Sequence, residues 1–169
     1  MKYLFIVFLC IASHTVFASP QHTPPTMPKS FDTLKPLVGT WEGTTVMEGK
    51  EQKVTTVYEL TSGGTALTEK FMAGTPMEMI SVYHKSGKTL AMTHYCAMGN
   101  SPHMQLRSST GTKVTFEMTK PLGIESAKEN HMHSVTLSFP NSDTMVQEWT
   151  NFENGKKSGL VTVNFTRKK

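Results

Sequence analysis

The chain has 169 residues and a formal net charge of +4, from 17 Lys and Arg against 13 Asp and Glu. That length suits one domain. The basic residues are scattered except at Arg167-Lys168-Lys169, which excludes a nucleic-acid-binding stripe. Beyond the N-terminus no apolar run is long enough to span a bilayer, so no stable membrane insertion is expected.

Residues 1–18 read as a signal peptide. Lys2 supplies a positive start, Tyr3 to Ala12 an apolar stretch, and Val16-Phe17-Ala18 a cleavage site. Cys10 follows Leu9, where a lipid-anchoring motif needs a small residue, so it belongs to the apolar stretch. The mature chain is then expected to begin at Ser19 and to be exported, to the periplasm or beyond the cell. Loss of Lys2 lowers the net charge from +4 to +3. Cys96 becomes the single cysteine, with no internal disulfide. Its thiol is buried, a ligand or reactive, and burial is the commonest fate of a free cysteine.

Residues 19–29 carry Pro20, Pro24, Pro25 and Pro28 and read as an extended, flexible leader. Ser30 can cap a short helix whose Phe31, Leu34 and Leu37 or Val38 share one side. Pro36 keeps that helix brief. From Gly39 the pattern changes. Ten runs rich in Thr, Val and aromatics follow, at 39–47, 52–61, 65–73, 77–84, 88–96, 103–109, 112–119, 131–140, 143–153 and 157–168. Gly, Asn, Ser and Pro clusters punctuate them at hairpin spacing, so neighbours should pair antiparallel. Residues 120–130 are the one longer connection, holding a helical turn or forming a rim loop. An open sheet of ten strands would leave two exposed edges. The expected fold is therefore all-β: a closed antiparallel up-and-down barrel of about ten strands over residues 30–169, with a short N-terminal helix. Trp41, early in the first strand, is placed to plug the closed end.

Alternation assigns the faces. Over 131–139, Val135, Leu137 and Phe139 share one parity and should face in, and His131 and His133 share it. Over 88–98, Leu90, Met92, His94, Cys96 and Met98 form the more apolar set. Three histidines and one cysteine are thus expected inside. They can be neutral core histidines with polar partners, anchors for a ligand, or metal ligands. A His-x-His pair on a strand projects two imidazoles side by side, and a third from another strand would resemble an open zinc site. Cys96 would add a softer ligand. The methionines read as adaptable lining for an apolar cavity. No Gly-x-Ser-x-Gly elbow, His-Glu-x-x-His pair or phosphate-binding glycine loop is present, so catalysis is the weakest reading.

Phe31…Leu37-Val38-Gly39-Thr40-Trp41-Glu42-Gly43 resembles the opening of calycin-type barrels. Thr93-His94-Tyr95-Cys96-Ala97-Met98-Gly99-Asn100, His131-Met132-His133 and Val146-Gln147-Glu148-Trp149 resemble recurring motifs of a group of bacterial exported lipocalin-like proteins of uncharacterised function. The likeness spans roughly residues 30–168. More distantly the plan is similar to nitrobindin-like haem barrels, though the haem-ligand motif of that family is not matched residue by residue. The resemblance implies a fold. The expected function is the binding of a small, largely apolar molecule, with Met92, His94, Cys96, His131, His133 and Trp149 as ligand-binding residues. The alternatives are a haem or divalent-metal site built on His131, His133 and His94, and a hydrolase or isomerase using the same residues.

Overall fold

The computed structural model describes residues 25–47 and 49–169. The signal peptide at 1–18 and the leader as far as residue 24 lie outside the described residues. The barrel forms as the strand pattern requires. Strands β1 (Gly39–Met47), β2 (Lys50–Thr61), β3 (Ala66–Phe71), β4 (Met79–Ser86), β5 (Thr89–Tyr95), β6 (His103–Ser109), β7 (Lys113–Glu117), β8 (His131–Ser138), β9 (Thr144–Glu153) and β10 (Lys156–Arg167) each pair antiparallel with their sequence neighbour. Strand β10 returns to β1, with Trp41 opposite Arg167 and Thr44 opposite Asn164, so the barrel is closed. Closure brings two backbones close. A Cβ on Gly43 would lie 2.3 Å from the Asn164 carbonyl oxygen, so only glycine lets β1 and β10 meet there.

The N-terminal segment closes one end. Helix α1 (Lys29–Asp32) is followed by a 3-10 turn at Lys35–Leu37. Ser30 lies inside α1. Pro28 is the N-cap residue and no side chain caps the helix, because Ser30 lies two positions past the capping place. Phe31, Leu34, Leu37 and Trp41 are completely buried together, while Val38 turns to solvent. The Trp41 indole donates to the Leu37 carbonyl at 2.7 Å. Arg167 lies over the indole, its guanidinium carbon 4.1 Å from the ring centroid. Its three nitrogens donate to the carbonyls of Ser142, Val38 and Pro36 at 2.6, 2.7 and 2.5 Å. A residue that the sequence places in a basic tail is thus the clamp of the closed end.

The other end carries the turn at 72–78, the turn at 96–102 and the long connection at 118–130. That connection is irregular, a rim loop without a helical turn. It is tied to the 96–102 turn by Ser101 donating to the Gly123 carbonyl at 2.9 Å and His103 to the Leu122 carbonyl at 3.0 Å. Gly123 has φ +80°, and a Cβ there would sit 1.8 Å from the Ser101 oxygen. Among the described residues no helix is long and apolar enough to cross a membrane.

Candidate functional site

A cavity of about 280 Å3 opens at the end away from α1. Its walls come from strand ends that meet at that level: Phe71 from β3, Met79 from β4, His94 from β5, Met132 from β8, Trp149 from β9 and Val161 from β10. The lining is apolar apart from His94 and the threonine hydroxyl of Thr45.

His94 is 3% exposed. Its ring packs against Trp149 with centroids 4.6 Å apart, and its Nδ1 lies 3.0 Å from the Ser81 hydroxyl. Ser81 does not line the cavity, so the imidazole stands between it and the open space. The Nε2 atom has no hydrogen-bond partner among the described residues. Burial holds the His94 pKa down at about 4, so the ring is neutral at pH 7. The unfolded chain takes up a proton near pH 6.5 that the folded chain refuses until about pH 4. Stability is therefore unaffected above pH 6.5 and falls by about 3 kcal/mol as the pH drops from there to the folded pKa. Burial lowers His103 and His133 in the same sense, while the raised Glu69 carboxyl acts in the opposite one. Comparing wild type with His94→Gln cancels these shared terms. The expected result is a shallower loss of the unfolding midpoint between pH 6.5 and 4 in the variant. Identical slopes would mean that His94 titrates normally.

One step deeper, a polar cluster fills the barrel. Glu69 is 0% exposed. It accepts from Tyr83 at 2.9 Å, Thr56 at 3.1 Å and the Gln147 amide at 2.5 Å. The same amide nitrogen donates to the Tyr58 hydroxyl at 2.7 Å, and the Gln147 carbonyl accepts from the Trp149 indole at 3.1 Å. The cluster thereby fixes Trp149 in the cavity wall. Burial pushes the Glu69 carboxyl up against the pull of its hydrogen bonds, and pushes Tyr58 and Tyr83 well up beside it. The motifs read from the sequence include Gln147 and Trp149 but not Thr56, Tyr58, Glu69 or Tyr83. Their signal is parity: Glu69 shares a face with Leu67 and Phe71, and Gln147 with Met145 and Trp149.

The expected site residues part company. His94 and Trp149 meet in the cavity wall. Met92 faces inward, as parity predicts, but is completely buried beside Met104 and does not reach the cavity. Cys96 lies just past the end of β5 and is half-buried, its Sγ 4.0 Å from the Met79 sulfur. Burial raises its pKa, which keeps it a thiol rather than a nucleophilic thiolate.

His131 is buried, at 2% exposure, but neither it nor His133 lines the cavity. The pairing of β8 with β9 shifts between Met132 and Ser134, so His133 is the extra residue of a β-bulge. The bulge inverts the parity upstream of it. Met132 takes the inner face and lines the cavity. His131 pairs with Phe152, which shares the outer face of Glu148 and Thr150, and His133 stacks on Phe152 at 3.8 Å. The pair is roofed by the rim loop. His131 Nδ1 donates to the Glu129 carbonyl at 2.6 Å, and its Nε2 then accepts from His133 Nδ1 at 3.2 Å.

The three histidines therefore do not converge. Among the described residues no three His, Cys, Asp or Glu side chains come together as a metal site. A tetrapyrrole is larger than the cavity's about 280 Å3, so haem would enter only with much of its ring outside the cavity. Ser81 with His94 is not a usable nucleophile–base pair, because the hydroxyl is shielded from the cavity by its own partner.

Fold and site together define a class: a small closed antiparallel barrel with a polar interior cluster and an apolar cavity at one end. Among solved structures, it is similar to a protein of unknown function from the DUF3598 family of Nostoc punctiforme PCC 73102. The TM-score is 0.54 at 14% sequence identity, over 80% of this chain and 49% of that one. The chain thus spans about half the length of that structure, and the likeness shows the fold. No family model matches the chain, and no curated protein matches it significantly.

Proposed function

We propose that this chain is an exported, lipocalin-like barrel that reversibly holds a small, largely apolar molecule in the cavity at its open end. The observation that carries the reading is a lining of Phe71, Met79, Met132, Trp149 and Val161 around a single inward imidazole. A few convergent polar groups in an apolar concavity are the usual make-up of a small-molecule site. The volume of about 280 Å3 selects a single ring or a short acyl chain. Export is supported by the charge, apolar stretch and cleavage pattern of residues 1–18.

The test combines native mass spectrometry of freshly purified protein with thermal shifts against small aromatic and aliphatic compounds. A compound at about 100 times its Kd should add about 2.7 kcal/mol to the stability. Val161→Trp, which fills the cavity from β10, should remain folded and lose both the shift and any co-purifying molecule. If wild type responds to no compound and carries none, or if Val161→Trp binds equally well, the cavity is not the site.

A further inference from the structure

Resting on that cavity reading, we propose that the ligand carries one neutral hydrogen-bond acceptor, a ketone, aldehyde, ester or amide carbonyl, which accepts from His94 Nε2–H. The proton position follows from polar satisfaction. Ser81 is 1% exposed, and the His94 Nδ1 is its hydroxyl's hydrogen-bond partner. If Nδ1 carried the proton and donated to Ser81, the serine proton would be left to the neighbouring Tyr83 hydroxyl, with which it makes no hydrogen bond within 3.5 Å. With Ser81 donating to Nδ1, both groups are satisfied and the proton of the neutral ring sits on Nε2. That N–H has no acceptor among the described residues. His94 is nine-tenths buried and lines the cavity, so a molecule in the cavity is what can complete it.

The rest of the wall defines the remainder of the molecule. Trp149 has already given its indole proton to Gln147, and Thr45 donates to the Thr162 carbonyl at 3.2 Å. Phe71, Met79, Met132 and Val161 offer only apolar surface. One donor is thus free, and the body that surrounds the acceptor is hydrocarbon. A carboxylate is excluded by charge. The imidazole is neutral at pH 7, so it cannot compensate an anion, and the acidic group reached through Trp149 and Gln147 is the Glu69 carboxyl. An ammonium is excluded because the ring nitrogen facing the cavity donates.

Three probes of one shape separate the possibilities: ethylbenzene, acetophenone and benzoate, titrated by calorimetry at pH 7 on the mature chain. Acetophenone should bind roughly 3- to 10-fold more tightly than ethylbenzene. Benzoate should bind more than about 10-fold more weakly than acetophenone. In His94→Leu the acetophenone and ethylbenzene affinities should become equal while both still bind. Nitrogen-15 NMR of the wild-type imidazole, which does not depend on any variant folding, should report the Nε2-protonated tautomer. An Nδ1-protonated ring, or acetophenone and ethylbenzene binding alike in wild type, overturns the carbonyl assignment and leaves the cavity reading intact. Absence of binding by all three probes overturns both.

Discussion

Trp41→Ala is expected to lower the stability of the barrel by about 3–5 kcal/mol. The indole is completely buried among Phe31, Leu34 and Leu37, so its removal leaves a cavity that the rigid strand ends cannot close. Two further losses accompany it. The Leu37 carbonyl loses its donor, and Arg167 loses the ring on which its guanidinium lies. Arg167→Ala should cost less, about 1–3 kcal/mol, since it removes hydrogen bonds to three carbonyls that solvent can partly replace. Urea unfolding followed by far-ultraviolet circular dichroism measures both. A Trp41→Ala midpoint equal to wild type would mean that the closed end does not hold the barrel together.

Glu69→Ala should destabilise by a similar amount, about 3–5 kcal/mol, by a different route. Tyr83, Thr56 and the Gln147 amide would each lose an acceptor in the driest part of the barrel. Removing the carboxylate also relieves its own desolvation, which works the other way. The orphaned donors win: Thr56 keeps the Lys70 carbonyl at 3.2 Å, but the Tyr83 hydroxyl and one Gln147 N–H have no other acceptor, each costing about 1–3 kcal/mol. Glu69→Gln keeps one acceptor and the shape, so it should cost only about 1–3 kcal/mol. Because Gln147 holds the Trp149 indole, Glu69→Ala should also change the fluorescence of Trp149 at the cavity wall. The ordering Ala worse than Gln is the decisive readout. If Glu69→Ala proves neutral or stabilising, water has replaced the carboxylate or the cluster was never fully bonded.

The histidines show how far strand parity carries and where it stops. On β5 the alternation of Leu90, Met92 and His94 runs unbroken, and His94 is inside as its parity predicts. On β8 the same reasoning fails for His131 and His133, because one unpaired residue at the bulge reverses every face upstream. On β4 the more apolar set is also misleading. Ile80 and Val82 point outward, while Ser81 and Tyr83 point in, because the interior there is the polar cluster around Glu69.

By itself the sequence determined the architecture of this protein. Glycine and asparagine turns at hairpin spacing leave ten consecutive strands little choice but to pair with their neighbours, and unpaired edges are costly enough to force closure. It also determined that Trp41 seals one end, since a large apolar ring at the start of β1 has nowhere else to go. Only the tertiary structure decided which polar groups meet. Arg167 and Trp41 lie 126 positions apart yet face each other across the closing seam, and Glu69 and Gln147 come from β3 and β9. Such contacts depend on register and barrel tilt, which no local pattern encodes. The bulge at His133 is likewise a product of pairing between two strands, so the chain read alone points the His-x-His pair at the cavity, whereas His131 is buried beneath the rim loop and Met132 lines the cavity instead.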